Sequence, residues 1–146
     1  MWLDIARHSR TLRSEPAWLS LADVLATNKE AVEATGENHF VRDNGLLESA
    51  IAKPQNHWNY GEDDVVVLAV KLLLGIAQNH PFEQGNKRTA LTAAATFLEL
   101  NGYELDVPDG DPFGNFIERV ITGEFSEAEF TELIRPCVNE LPEDPA

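Results

Sequence analysis

An all-α fold, a compact bundle of about six helices, is predicted from the apolar pattern and the helix-capping residues of this chain. Two segments, residues 65–77 and 90–100, are apolar on nearly every face and are expected to form buried helices. The chain has 146 residues, of which 43% are hydrophobic, and it contains no repeat or linker. These features predict a single domain over residues 1–146.

The first part of the chain predicts an arm or lead helix at residues 1–18, followed by a helix that Ser20 caps. Asp23 is placed to complete a capping box with Ser20, and Gly36 ends the helix. Asn28 lies on the apolar stripe of this helix, so it either faces a cleft or is a buried, hydrogen-bonded amide. The arm carries arginines at every third position, on a face that is solvated or binds an acidic partner: Arg7, Arg10 and Arg13.

The second helix is expected to begin after Asp43 and to end at Pro54, because the residue before a proline avoids helical geometry. The next residues, PQNHWNYGEDD, have no helical period and predict a loop or a short flap hairpin. Trp58 and Tyr60 alternate as in a strand. They either clamp a ligand or belong to a loop that one aromatic ring holds against the core.

Two buried helices are expected next, joined by a loop of six residues. An aspartate at position 63 or 64 begins the first of them, which ends at or before His80 because a proline follows. The second runs from about residue 86 to residue 100, where an Asn-Gly pair ends it. The short connection predicts an antiparallel central pair with the loop at one end of the core.

The remainder predicts an extended piece at residues 103–107, a helix at 113–121 and a last helix through Ile134. Ser126 and Glu129 form a capping box for the last helix. Residues 136–146 are expected to be a frayed tail.

The loop between the buried helices, HPFEQGNKRTA from His80 to Ala90, has an unusual charge pattern. Lys87 and Arg88 fall in the first turn of a helix, where the dipole favours anions over cations. Their position is explained if an anion binds there, because free N–H groups, the dipole and two cations together form a phosphate site. The alternative is an exposed basic turn. Gly85 would allow close backbone approach to the anion.

Three other residues of this loop have predicted roles. His80 is the candidate general base, since histidine gains and loses a proton near neutral pH. Phe82 is expected to point inward and anchor the loop. Asn86 either caps the helix or holds a phosphate oxygen.

The composition limits the classes of partner and compartment. A net charge of −14 and a pI of about 4.5 argue against direct nucleic-acid binding, whereas a basic protein partner or simple solubility fits. Cys137 is the single cysteine, so no internal disulfide forms. No apolar run has transmembrane length and no signal peptide is apparent, which predicts a cytoplasmic protein without a membrane contact.

The loop resembles the core motif of the Fic/Doc family, His-x-Phe-x-acid-small-Asn-Gly/Lys-Arg. The segments RDNGLLESAIAKPQ and FLELNGYEL are also similar to the family, and the resemblance extends from Leu19 to Leu133. Lysine at position 87, and leucine at position 91 instead of a second arginine, resemble the Doc (death-on-curing) toxin branch. The matching positions are His80, Phe82, Gly85, Asn86, Lys87 and Arg88.

The resemblance implies a toxin that transfers phosphate from ATP to a Ser, Thr or Tyr hydroxyl of a cellular protein, with a translation factor as candidate target. It implies catalytic roles for His80, Lys87 and Arg88, and nucleotide binding by residues 85–88. It also implies a separate cognate antitoxin protein and a target-binding flap: His57, Trp58, Asn59 and Tyr60. Transfer of AMP, and a degenerate domain that only binds nucleotide or partner, are the alternatives.

One position departs from the family pattern. The family has an acidic Mg²⁺ ligand where this chain has Gln84, and Glu83 stands one residue earlier. Mg²⁺ prefers charged oxygen ligands. Either Glu83 replaces the missing ligand, Gln84 binds the metal weakly, or the enzyme is impaired.

Overall fold

The computed structural model describes residues 10–108 and 111–142, and these contain six α-helices and one small antiparallel sheet of two strands. The all-α prediction is therefore confirmed. The elements in chain order are α1 (Leu21–Ala34), α2 (Asn44–Asn59), α3 (Val65–Asn79), α4 (Asn86–Leu100), β1 (Tyr103–Leu105), α5 (Asp111–Ile121), α6 (Glu127–Ile134), a 3₁₀ turn (Arg135–Cys137) and β2 (Val138–Glu140).

Helix α3 is the centre of the core. Eleven of its fifteen residues are buried, which leaves it almost no solvent-facing side. Helices α2, α4, α5 and α6 pack against it, and α1 covers α4. As predicted, α3 and α4 are joined by only six residues and pack along each other, so the loop that connects them lies at one end of the core.

Four of the predicted helix starts are confirmed by their capping bonds. Ser20 and Asp23 form a reciprocal capping box at α1, and Ser126 and Glu129 form another at α6. The Asp43 carboxylate accepts the N–H of Leu46 at α2, and the Asp64 carboxylate accepts the N–H of Val66 at α3. Each cap satisfies a helix N–H that has no partner inside its own helix.

The predicted end of α2 at Pro54 is wrong, because the helix continues through this proline to Asn59. A proline inside a helix costs about 3 kcal/mol, since it removes one hydrogen bond and crowds the preceding turn. Here Pro54 is itself buried against the core, and Trp58 packs on the core one turn later. Burial of large apolar side chains at about 1.5–3 kcal/mol each offsets that cost.

The predicted flap at residues 57–60 is therefore also wrong. Three of these residues are helical, and Tyr60, 92% exposed, caps the C-terminus of α2. They lie beside the start of α3, where Glu62 N–H donates to the His57 carbonyl. Since α3 has fifteen residues, about 22 Å of helix separates them from the loop at its other end. His57, Trp58, Asn59 and Tyr60 are not part of that loop's surroundings.

The predicted frayed tail differs from the structure over residues 136–142. Val138–Glu140 pairs with Tyr103–Leu105, and Val138 is buried. The strand could not be found locally, because its partner lies some 35 residues earlier and supplies the hydrogen bonds. Residues 143–146 lie outside the described part of the chain.

The arm is described only from residue 10 onward, so the prediction for Arg7 and for a lead helix at residues 1–9 is outside the described part. From Arg10 to Leu19 the chain is not helical. The Arg10 guanidinium donates to the Val138 carbonyl at 2.8 Å, whereas Arg13 is exposed. Within the described ranges, no helix is long and apolar enough to cross a membrane.

Candidate active site

The loop between α3 and α4 is held by hydrogen bonds between Phe82 and Asn86, the first residue of α4. Phe82 is fully buried, as predicted. The Asn86 side chain accepts the Phe82 N–H at 3.0 Å and donates to the Phe82 carbonyl at 2.8 Å. Both polar atoms of this buried amide are therefore occupied. Asn86 closes the loop, and its side chain does not provide the helix cap suggested by the sequence, whereas the phosphate contact stays a prediction.

A backbone segment that precedes α2 holds the same loop from outside. Val41 and Phe82 form an isolated antiparallel bridge. The Glu83 N–H donates to the Phe40 carbonyl at 3.0 Å, and the Arg42 N–H donates to the Pro81 carbonyl at 2.8 Å. The extended segment beside the loop is thus residues 40–42, where the sequence analysis expected residues 57–60.

Asn28 of α1 connects a third element to the loop. Its side chain has no solvent exposure, and its Nδ2 donates to the Gln84 carbonyl at 2.9 Å and to the Thr89 hydroxyl at 3.0 Å. Its Oδ1 lies 2.7 Å from His39 Nδ1, and the His39 ring is tilted against that of Phe82. Of the two possibilities left open by the sequence, the buried, hydrogen-bonded amide is the one observed.

Gly85 begins α4 in a conformation that requires glycine. Its φ is +74°, and a Cβ there would lie 2.9 Å from the Val32 side chain. The first backbone hydrogen bond of α4 runs from the Thr89 N–H to the Gly85 carbonyl. The preceding N–H groups, at residues 86–88, have no acceptor within the helix and form the positive end of its dipole.

His80 ends α3 in the left-handed conformation, with φ of 51° and ψ of 52°. Among the described residues it is the one non-glycine residue with positive φ. A side chain in this region costs roughly 1–2 kcal/mol, so the surrounding contacts must hold it there. The residue is exposed, and its imidazole has no hydrogen-bond partner within the described residues.

Both predicted phosphate-binding cations already have carboxylate partners. Lys87 Nζ lies 3.2 Å from Glu118 of α5, and both side chains are half exposed. Arg88 forms an ion pair with Glu37. It also donates to the Ala31 carbonyl at 3.0 Å and to the Thr35 hydroxyl at 3.1 Å.

Glu37 keeps its negative charge over a wide pH range. A hydrogen bond from the Thr35 hydroxyl, and after it one from the Arg88 guanidinium, holds the pKa of the Glu37 carboxyl below its ordinary value. The stability that these hydrogen bonds contribute is therefore present at neutral pH, and it is lost only as the pH falls through the lowered pKa of Glu37. A nucleotide phosphate that binds Arg88 must compete with an ionised carboxylate.

These residues enclose one open cavity of about 310 Å³, which is lined by His80 and by the six consecutive residues 83–88. The cavity thus joins a free imidazole, the unpaired amides of a helix start and two cations. The cavity lining contains every loop residue that the sequence selected except Phe82, which is buried beneath the loop's surface. The structure adds Asn28, Glu37 and Arg42, for which only the placement of Asn28 on an apolar stripe gave a local signal.

The cavity wall contains two candidate ligands for a magnesium ion. Glu83 and Gln84 are both exposed there. No group of three or more His, Cys, Asp or Glu side chains in the described ranges could hold a metal on its own. A Mg²⁺ ion that arrives with a nucleotide needs only one or two protein oxygens, because phosphates and water supply the others. The donor set fits such an ion and does not form an all-protein metal cage.

The fold and the loop define a helical protein in which the N-terminus of a buried helix lies beside a histidine. The model of the Fic/DOC family matches residues 18–98, which is more than half of the chain. The chain therefore belongs to the Fic/DOC family, and its relatives place it in the Doc branch.

Two relatives carry that assignment to the branch. The chain is 44% identical over 91 residues to "Toxin Doc" of Mycolicibacterium smegmatis, an alignment that covers 60% of this chain and 67% of the relative. It is 28% identical over 118 residues to "Protein kinase doc" of Escherichia phage P1, with 80% of this chain and 92% of the relative covered.

Proposed function

We propose that this protein is a Doc-type toxin that transfers the terminal phosphate of ATP to a hydroxyl group of a cellular protein. The observation that carries the proposal is the single cavity in which a free imidazole faces the amides and cations of a helix start. The name of the phage relative, a protein kinase, supports phosphate transfer as the reaction.

In this mechanism the start of α4 binds the phosphates. The N–H groups of residues 86–88 donate to phosphate oxygens, and Lys87 and Arg88 neutralise their charge. Gly85 lets the phosphate approach the backbone, since it has no Cβ. Arg88 must first exchange its partner Glu37 for phosphate, and Lys87 must do the same with Glu118.

His80 acts as the general base. Its imidazole takes the proton of the target hydroxyl while the hydroxyl oxygen forms a bond to the terminal phosphorus. The bond between that phosphorus and the bridging oxygen breaks, and ADP leaves with the electron pair. His80 ends α3 in the αL conformation, and it lines the cavity.

A magnesium ion would be held by the Glu83 carboxylate or the Gln84 amide oxygen together with the phosphates. Bound there, it would offset phosphate charge. If Gln84 is the ligand, the replacement of the family's acidic residue weakens Mg²⁺ binding. If Glu83 is the ligand, a charged oxygen is retained.

The proposal includes two protein partners. One is the target, which presents a Ser, Thr or Tyr hydroxyl, with a translation factor as the candidate. The other is a cognate antitoxin, because the mycobacterial relative is named a toxin and a cell that makes a toxin must restrain it. The net charge of −14 suits a partner with a basic surface.

The test is mass spectrometry of a cell lysate incubated with the protein and isotopically labelled ATP, beside a folded His80→Ala variant. We expect a target peptide to gain one phosphate with the wild type only. A gain of a whole nucleotide would instead show AMP transfer. No modified peptide at any Mg²⁺ concentration would favour a degenerate binding domain.

A further inference from the structure

Arg42 differs from the other basic residues around the candidate active site in what its side chain binds. Lys87 and Arg88 are both paired with carboxylates. Arg42 has no carboxylate partner among the described residues, although the chain carries a net charge of −14. Its guanidinium donates instead to the main-chain carbonyl of His80, at 2.6 Å. Carboxylates are abundant in this protein, yet Arg42 binds a neutral carbonyl. This choice of partner indicates that Arg42 holds the backbone in place.

The bonded carbonyl belongs to the one non-glycine residue with positive φ in the described part of the chain. His80 has φ of 51°, a conformation that is unfavourable for a non-glycine residue and that the surrounding contacts must hold. Its own N–H donates to the Ile76 carbonyl at 3.1 Å, which fixes one side of the residue to α3. The Arg42 guanidinium fixes the other side, and the Arg42 N–H holds the next carbonyl, that of Pro81, at 2.8 Å.

This arrangement fixes the backbone from which the imidazole extends. The ring itself has no hydrogen bond within the described residues, so only the backbone of His80 determines where the side chain begins. A hydrogen bond from a charged donor is about twice as strong as a neutral one. Since Arg42 is exposed, its loss leaves no buried polar atom behind in the core.

We propose that Arg42 is a positioning residue, which holds His80 in its left-handed conformation and so aims the imidazole into the cavity. The expected effect of Arg42 on catalysis rests on the proposed function. The expected effect of Arg42 on the conformation of His80 does not. Arg42 itself makes no contact with the reacting atoms in this scheme.

The kinetic test compares Arg42→Gln and Arg42→Lys with Arg13→Gln. Arg13 is a matched control: it is exposed, has no hydrogen-bond partner within the described residues, and lies near the opposite end of α3. We expect Arg42→Gln to lower kcat by about tenfold with KM for ATP nearly unchanged, as for the loss of one charge-assisted bond. Arg42→Lys should recover part of the loss, and the control should match the wild type.

Three kinetic outcomes would overturn the proposal. A raised KM for ATP at constant kcat would make Arg42 a nucleotide ligand, and an unchanged kcat would make its bond to His80 irrelevant. In a His80→Ala background, Arg42→Gln should have no further effect on the residual rate. An equal loss in that background would show that Arg42 acts independently of His80.

A second measurement does not need transfer activity. NMR of isotopically labelled protein gives the His80 Cα and Cβ chemical shifts, which report the backbone conformation, and the ¹⁵N relaxation of its amide. We expect both to change in Arg42→Gln and neither to change in Arg13→Gln. If His80 is unaffected, the positioning role is refuted. If His80 moves while the wild type transfers nothing, the proposed function fails and the positioning role stands.

Discussion

Replacement of Asn28 with alanine should be costly, because one buried amide ties α1 to both sides of the active loop. It makes three hydrogen bonds, to Gln84, Thr89 and His39, and is fully buried. At about 1 kcal/mol for each bond, Asn28→Ala should lower the free energy of unfolding by about 3 kcal/mol. At about 2–4 °C per kcal/mol for a chain of this size, the melting temperature should fall by about 6–12 °C.

Urea denaturation followed by circular dichroism measures this change directly. Asn115→Ala is the control, because Asn115 is an exposed α5 residue whose side chain has no hydrogen bond in the described part of the chain. It should change stability by less than about 1 kcal/mol. Thr89→Val should lower the free energy of unfolding by about 1 kcal/mol. It should lower it by less in a protein that already carries Asn28→Ala. A loss below about 1 kcal/mol for Asn28→Ala would refute the network as described.

Three further predictions concern the chemistry of the loop. His80→Ala should lower transfer by about 10²- to 10⁴-fold while circular dichroism shows an intact fold; growth arrest by this variant in cells would contradict the base role. Glu37→Gln should tighten ATP binding by about two- to fivefold, since the nucleotide no longer displaces an ionised partner of Arg88. Calorimetric ATP titrations of the wild type and the variant that superimpose would argue against this competition. Gln84→Glu should shift the Mg²⁺ dependence of transfer to lower concentration, and Glu83→Gln should matter only if Glu83 is the ligand; identical curves for all three proteins would show that neither side chain touches the metal.

Helix starts and the motif loop were predictable because their signals are local. A capping box such as Ser20 with Asp23 spans three residues, and the apolar content of α3 alone predicts its burial. The positive charges at the start of α4 likewise predict an anion site from local sequence, and that site stays a prediction. Phe82, placed inward by the sequence analysis, is fully buried.

The sequence rules failed where packing opposed a local preference. The preference of residues before proline for extended backbone predicted that α2 ends at Pro54. The helix continues because the face that carries Pro54 is buried against α3. That error moved the predicted flap to residues 57–60, at the wrong end of α3. The tail at residues 138–140 carried no local signal, because its hydrogen-bond partners lie on β1.

The sequence by itself determined the fold class, the central helix pair and the set of loop residues, since each depends on neighbours a few positions apart. Only the tertiary structure decided which residues surround that loop. Glu37 reaches Arg88 across 51 positions, Arg42 reaches His80 across 38, and Asn28 reaches Gln84 across 56. No periodicity or spacing rule links such pairs, because their contacts depend on how α1, α2 and the loop pack against the core.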